Sequence, residues 1–264
     1  MRGRILLSLL LVVFMMISCR KKEAANEITI IPIEKKSHTY NTDFYHMSVE
    51  YPEEMWDYKH DMQRYVESVV SFHKRDWSPG GMHYEKEMSF RNIHEEKEYP
   101  KCELYIRFQK FTSTRPDIHS YLFSAYVTTH GANGSTTVAA FNFNQDGLIG
   151  FDDVFSITTD QEIELARLLA VQTKDSVGVF DYSQVRRGLG LDYILEDGVS
   201  LDSLEMKKND FTFRKNLNAF VLADTGIHFH FDKYALAPGS SGTTSIFLNW
   251  EQLKPFLQNK FDIN

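Results

Sequence analysis

The chain has little cysteine: Cys19 and Cys102 are the only two in 264 residues. Two cysteines cannot build the disulfide framework of a small secreted scaffold, and a chain of this length can bury a core without one. Long apolar runs are also scarce. The clearest, Ile5 to Ile17, is shorter than the roughly 20 residues of a membrane-spanning helix. Basic residues are the minority, with 29 Lys and Arg against 36 Asp and Glu and a formal net charge of −7. No basic stripe offsets that balance, which argues against nucleic acid as a partner. No nucleophile elbow or zinc-protease helix is present, so neither an enzymatic activity nor a cofactor is expected.

What is present begins at the N-terminus. Arg2 and Arg4 precede the apolar run, and Ser18 and Cys19 close it. A charged start, a short apolar stretch and a small residue before the cut read as a secretory signal over residues 1–18. "MISC" resembles a bacterial lipobox, which implies a lipidated Cys19 as the mature N-terminus and a membrane anchor. Removing Arg2 and Arg4 leaves 27 basic against 36 acidic residues, a net charge of −9. An acidic ectodomain attracts cationic proteins or peptides. Arg20, not Asp, follows the cysteine. In a two-membrane bacterium the lipoprotein sorting rule then places the anchor in the outer membrane, and elsewhere in the cell envelope.

Residues 19–36 read as a charged tether, followed by an N-terminal half over 37–145 and a C-terminal half over 146–264. Tyr45, Met47, Val49 and Tyr51 share one strand face. Residues 53–74 place Met55, Tyr58, Met62, Tyr65, Val66, Val69 and Phe72 at helical spacing, a long amphipathic helix that packs on a sheet. Strands are expected near 86–93, 101–111, 118–129 and 135–144. In "CELYIRF" Cys102 alternates with Leu104, Ile106 and Phe108, which makes it a buried structural thiol. Thr159 and Glu162 match a capping box that opens a second helix. Alternation resumes at Phe220 and Leu222, and again at Ile227, Phe229 and Phe231. The fold class is α+β: a mainly antiparallel sheet with a long N-terminal amphipathic helix, in two closely packed halves.

Two stretches invite a chemical reading. In "HFHFD", His228, His230 and Asp232 alternate, an exposed polar face in the expected arrangement. Same-face positions on a strand lie about 7 Å apart, too far for all three to reach one zinc at about 2 Å, so no metal is expected. In "THGANGS", His130 lacks any catalytic partner at motif spacing. Gly131, Asn133 and Gly134 suit a chain reversal with positive φ.

"SAYVTTHGANGSTTVAAFNFNQDG", "LIGFDDVF" and "FVLADTGIHFHFDKYALAPGSSGTTSIFLNWEQLKPFL" together resemble the extracytoplasmic sensor domain of lysozyme-responsive anti-sigma factors, the RsiV-like family. Its N-terminal half also occurs beside the catalytic domain of a muramic-acid deacetylase. His130 and Asn133 stand where that family usually shows Gly and His. The resemblance implies an extracytoplasmic binding module that recognises lysozyme or another cationic wall hydrolase, and it points to a contact region at Tyr234, Pro238 and Gly239, with His130 and Asn133 beside it. A peptidoglycan-binding module is the alternative, and a carbohydrate-active enzyme a more distant one. Tyr234 suits a recognition surface because it offers a large apolar face and a hydroxyl at low entropic cost.

Overall fold

The computed structural model describes residues 33–53, 59–94, 100–111, 113, 115, 117–129, 133–176, 181–189, 216–259 and 261. Cys19 and His130, and the helical positions Met55 and Tyr58, lie outside them.

Six strands form the first sheet in chain order: β1 (Lys35–Asn41), β2 (Tyr45–Pro52), β3 (Cys102–Phe111), β4 (His119–Thr128), β5 (Ser135–Asn144) and β6 (Gly147–Ile149). All neighbours are antiparallel except β2 and β3, which run parallel from Tyr45↔Cys102 to Val49↔Ile106. Parallel neighbours need a crossover of a dozen residues or more. Two helices occupy it, α1 (Lys59–Asp76) and α2 (Met82–His94).

The second of these corrects the strand expected near 86–93. Gly80 takes φ +88°, and its N–H donates to Glu85 Oε1 at 3.0 Å. The His83 N–H donates to Asp76 Oδ1 at 3.2 Å. These bonds satisfy orphan donors at the start of a helix, and Tyr84, Glu87, Met88 and Arg91 then form its half-buried stripe. Local capping defeats the short-range alternation.

Helix α1 buries Met62, Val66 and Val70, with Trp77 just beyond its end, against Met47, Val49, Leu104, Ile106 and Phe123. Each such side chain contributes about 1.5–3 kcal/mol by leaving water. Phe72, expected in this stripe, is 53% exposed, and Val70 takes the inward position instead. Cys102 is buried in the same cluster.

A separate antiparallel sheet holds β7 (Phe220–Ala223), β8 (Gly226–Phe231) and β9 (Thr244–Asn249), with a short hairpin joining the first two. Its Ile227, Phe229, Phe231, Ile246 and Leu248 share a core cluster with Leu165, Ala166, Leu169 and Ala170 of α4 (Thr159–Ser176). That core also takes in Phe151 and Val154 of the one-turn α3 (Phe151–Val154), Val185 of α5 (Tyr182–Gly188) and Leu253 of α6 (Trp250–Leu253). The box that opens α4 lies one residue earlier than expected. The Thr158 N–H donates to Gln161 Oε1 at 2.9 Å, and the Gln161 N–H donates back to Thr158 Oγ1 at 3.4 Å. Gln161 also donates to the Pro255 carbonyl at 3.0 Å. A tertiary contact therefore selects Gln161 over Glu162, which is buried.

The two sheets meet through side chains that imitate a strand. Asn142 of β5 donates from Nδ2 to the Phe220 carbonyl at 2.8 Å and accepts from the Leu222 N–H at 3.1 Å. Ser120 of β4 donates to Asn142 Oδ1 at 2.7 Å and accepts from the same Leu222 N–H at 3.2 Å. Ser120 and Asn142 are both buried. An edge of β7 that would otherwise lose its water is thereby satisfied.

Candidate functional site

The sequence-predicted contact residues fall into one region at the end of β8. The strand stops at Phe231. The next residues lie along the outer edge of β5: the Lys233 N–H donates to the Thr136 carbonyl at 2.9 Å, and Asp232 Oδ1 accepts from the Val138 N–H at 2.7 Å. Lys233 Nζ donates to the Gly134 carbonyl at 2.6 Å. Segment 232–234 and the turn at Asn133–Gly134 are thus tied together across some hundred residues of sequence.

Tyr234 follows. It is 47% exposed and has φ 74°, the single positive φ of a non-glycine among the described residues. Its main chain is held in place: the carbonyl accepts from Gln184 Nε2 at 2.9 Å, and the next N–H, of Ala235, donates to the Asp232 carbonyl at 3.0 Å. Its ring lies on Gly239, where any Cβ would fall inside the aromatic ring's van der Waals envelope. Lys233 Nζ sits 5.1 Å from the ring centroid, within cation–π range. Pro238 is half-buried and precedes a 3₁₀ turn, Gly239–Ser241, that ends at Gly242 with φ 72°.

Asn133 is exposed beside this platform. The expectation of positive φ at Asn133 and Gly134 is corrected, because neither takes it. Gly134 has a different reason to be glycine: a Cβ there would strike the Tyr126 ring. The sequence pattern could not reveal this, since Tyr126 lies eight positions earlier on the neighbouring strand.

The exposed polar face expected from "HFHFD" is also corrected. His228 and His230 are 6% and 9% exposed, and all six residues of β8 are buried. One face of the strand meets the apolar core and the other is covered by the first sheet, whose Phe111 lies against both histidine rings. His228 lies 4.6 Å from the Phe247 ring centroid and His230 lies 6.0 Å from that of Phe111. Burial pushes the His228 pKa down to about 4. Burial, with His228 as a lesser cause, pushes His230 down to about 3. Both rings are therefore neutral near pH 7. Asp232, beyond the strand, is exposed. Partial loss of water around its carboxyl raises its pKa, against the Val138 hydrogen bond that lowers it. Across β5, burial raises the Tyr65 hydroxyl, the Asp232 charge adds to the rise, and a hydrogen bond with Thr137 opposes both. Among the described residues no group of three His, Cys, Asp or Glu side chains is arranged to hold a metal ion.

A cleft of about 310 Å³ opens where β8 diverges from the β5 edge, with Val138 and Ala140 on one wall and His230 and Asp232 on the other. A larger groove of about 430 Å³ runs between β1 and α1. It shares none of the predicted contact residues.

Residues 152–251, which include Tyr234, Pro238 and Gly239, match a domain family described as "Protein of unknown function (DUF3298)". The fold is similar to the crystal structure of a DUF3298 family member from Bacteroides fragilis NCTC 9343, at 15% identity and a TM-score of 0.48, covering 89% of this chain and 96% of that one. It is also similar to a DUF3298 family protein from Pseudomonas aeruginosa PAO1, at 12% identity and a TM-score of 0.46, covering 88% and 97%. No curated protein sequence matches the chain.

Proposed function

We propose that this protein is a lipid-anchored extracytoplasmic binding module, not an enzyme, and that it recognises a cationic envelope protein such as lysozyme or another wall hydrolase. The recognition surface in this reading is the Tyr234–Gly239 loop with the Asn133–Gly134 turn beside it. One observation carries it: an exposed tyrosine is held at positive φ by a carbonyl clamp, a glycine platform and a lysine. A non-glycine residue in that conformation costs on the order of 1–3 kcal/mol and persists only where its surroundings impose it; such strain concentrates at ligand clamps. A rigid scaffold that presents one aromatic side chain on a loop is also how recognition sites are commonly built. The acidic balance of the chain, −7 over the full sequence, favours encounter with cationic partners. The identity of the partner class rests on the family resemblance set out above.

The test is calorimetric titration of the protein with lysozyme. Binding that Tyr234→Ala weakens about 10- to 100-fold, the effect of truncating an aromatic anchor, supports the reading, provided the variant's circular dichroism is unchanged. Binding of equal strength in the folded variant would remove the loop as the contact. No binding to the unmodified protein would remove lysozyme.

A further inference from the structure

The groove of about 430 Å³ between β1 and α1 takes no part in the loop surface. Its floor is apolar, made by Val49 of β2 and by Met62, Val66 and Val70 of α1, all members of the first core cluster. Its rim is polar, with Lys36, His38 and Tyr40 of β1 on one side and Gln63, Glu67 and Lys74 of α1 on the other. The two ends differ. At one, Lys74 Nζ lies 3.3 Å from the centroid of the Tyr40 ring. At the other, Met62 stands near Lys36, which is bridged to Glu53 at 3.4 Å. The chain enters β1 at this second end, and it does so irregularly. Lys36, His38 and Tyr40 face the groove, so strict alternation would send Ile33 to the opposite face of the sheet. Ile33 is instead half-buried and packs against the same cluster that floors the groove. The Glu34 carbonyl still accepts from the Glu53 N–H at 2.9 Å, so the backbone turns between these two residues, toward the helix side.

We infer that this groove is the docking site for the chain's own residues 27–32, "EITIIP", laid antiparallel to β1. Three observations select that occupant. Ile33 already fixes the end of the segment against the groove floor. The length matches: α1 rises about 18 Å from residue 62 to residue 74 at 1.5 Å per residue, and residues 27–32 span about 17 Å when extended. Ile31 precedes Pro32, which favours the extended form at that point. The chemistry matches as well. Ile28 and Ile30 alternate onto one face, the face turned to Met62, Val66 and Val70. Glu27 then comes level with Lys74, at the end where that ammonium lies over Tyr40. If Cys19 is lipidated, as in the reading proposed above, docking leaves only residues 20–26 as a free leash. Seven residues reach at most about 25 Å, which holds the Tyr40 and Lys74 end of the groove near the membrane. That consequence rests on the lipid anchor; the docking itself does not.

The experiment is photocrosslinking of the full chain with benzoylphenylalanine in place of Ile30. The expected product is a crosslink within one chain to residues 62–70 of α1, mapped by mass spectrometry. Mixing isotopically heavy and light chains separates it from a crosslink between chains. A product formed only between chains would give the groove to a second copy and overturn the inference, as would products that avoid α1. Hydrogen exchange supplies a second readout. Ile28→Asp/Ile30→Asp touches neither described core cluster, and it is expected to speed exchange of the α1 amides at least tenfold while those of β8 and β9 keep their rates. Unchanged exchange in α1 overturns the docking. Neither readout involves Cys19 or a partner protein, so their failure leaves the binding reading standing, and failure of lysozyme binding leaves the docking standing.

Discussion

Strands β3 and β8 have much the same written pattern, apolar residues alternating with polar ones, and opposite surroundings. In β3 the sequence "CELYIRF" buries Cys102, Leu104 and Ile106, while Glu103, Tyr105 and Arg107 remain half-open to solvent. Arg107 there binds the Ser48 carbonyl at 3.1 Å and lies 3.6 Å from Glu50. In β8 the sequence "GIHFHF" buries both sets. Alternation states that a strand has two faces of different chemistry. It does not state that the polar face is wet. Histidine fits either case, because its neutral form can enter a core that an ionised side chain would not.

The largest expected difference between the two strands is in acid. The ordinary histidine pKa is 6.5, whereas His228 and His230 are lowered to about 4 and about 3 in the fold. Below pH 6.5 the unfolded chain binds protons that the native state refuses. Stability is therefore fully present above about pH 6.5 and falls as pH drops toward 4, by several kcal/mol at about 1.4 kcal/mol per unit of separation. Acid unfolding followed by tryptophan fluorescence is expected to move to lower pH in a His228→Leu/His230→Leu variant. Replacement of Glu103 and Arg107 on β3 leaves that midpoint in place. An unchanged midpoint in the double histidine variant would show that these rings do not govern the acid limb.

A smaller contrast lies at the junction. Asn142→Leu leaves the buried Phe220 carbonyl without its donor and is expected to cost about 1–3 kcal/mol in urea unfolding. Tyr105→Ser, on the half-open face of the first sheet, is expected to stay within about 1 kcal/mol. Equal losses would mean that Asn142 and Ser120 are not what joins the sheets.

The smallest effect has the opposite sign. Tyr234→Gly releases the positive-φ cost, partly offset by the greater freedom of glycine in the unfolded chain, for a net gain of about 0.5 kcal/mol. A rise of about 1–2 °C in melting temperature together with weaker partner binding is the expected pair of results. A fall in melting temperature would mean that the Tyr234 ring contributes more packing on Gly239 than its backbone costs.

What the sequence made legible follows the range of the interactions concerned. The alternation of β3, β4 and β5 and the hairpins at Asn144–Gly147 and Asp224–Gly226 are local, and they are visible in the residues that form them. The asparagine turn shows why: the Asp146 N–H donates to Asn144 Oδ1 two residues back, at 2.9 Å, and Gly147 takes φ 127°. The parallel pairing of β2 with β3 was not legible, since its partners are separated by two helices. Helix α2 is not legible in its own residues, because its decisive signals are the Gly80–Gly81 turn and the Asp76 cap, which precede the stretch of alternation. At the candidate site, the neighbourhood of Tyr234 and the Asn133 turn came from resemblance. The clamp on the Tyr234 carbonyl comes from Gln184, fifty residues away, and the tie of Lys233 to Gly134 spans ninety-nine.

At the opposite margin of the first sheet stands β1. β1 is exposed along nearly its whole length and, among the described residues, pairs on one side only, with β2. An open strand edge is a template on which another chain can grow toward amyloid. Here the strand reads KKSHTYN, with no run of apolar side chains to seat a dry zipper. Lys35 and Lys36 reach Glu50 and Glu53 at 2.9 and 3.4 Å, so an incoming strand would have to displace charges that are already paired. The edge guards the protein against fibril growth where many copies stand close together.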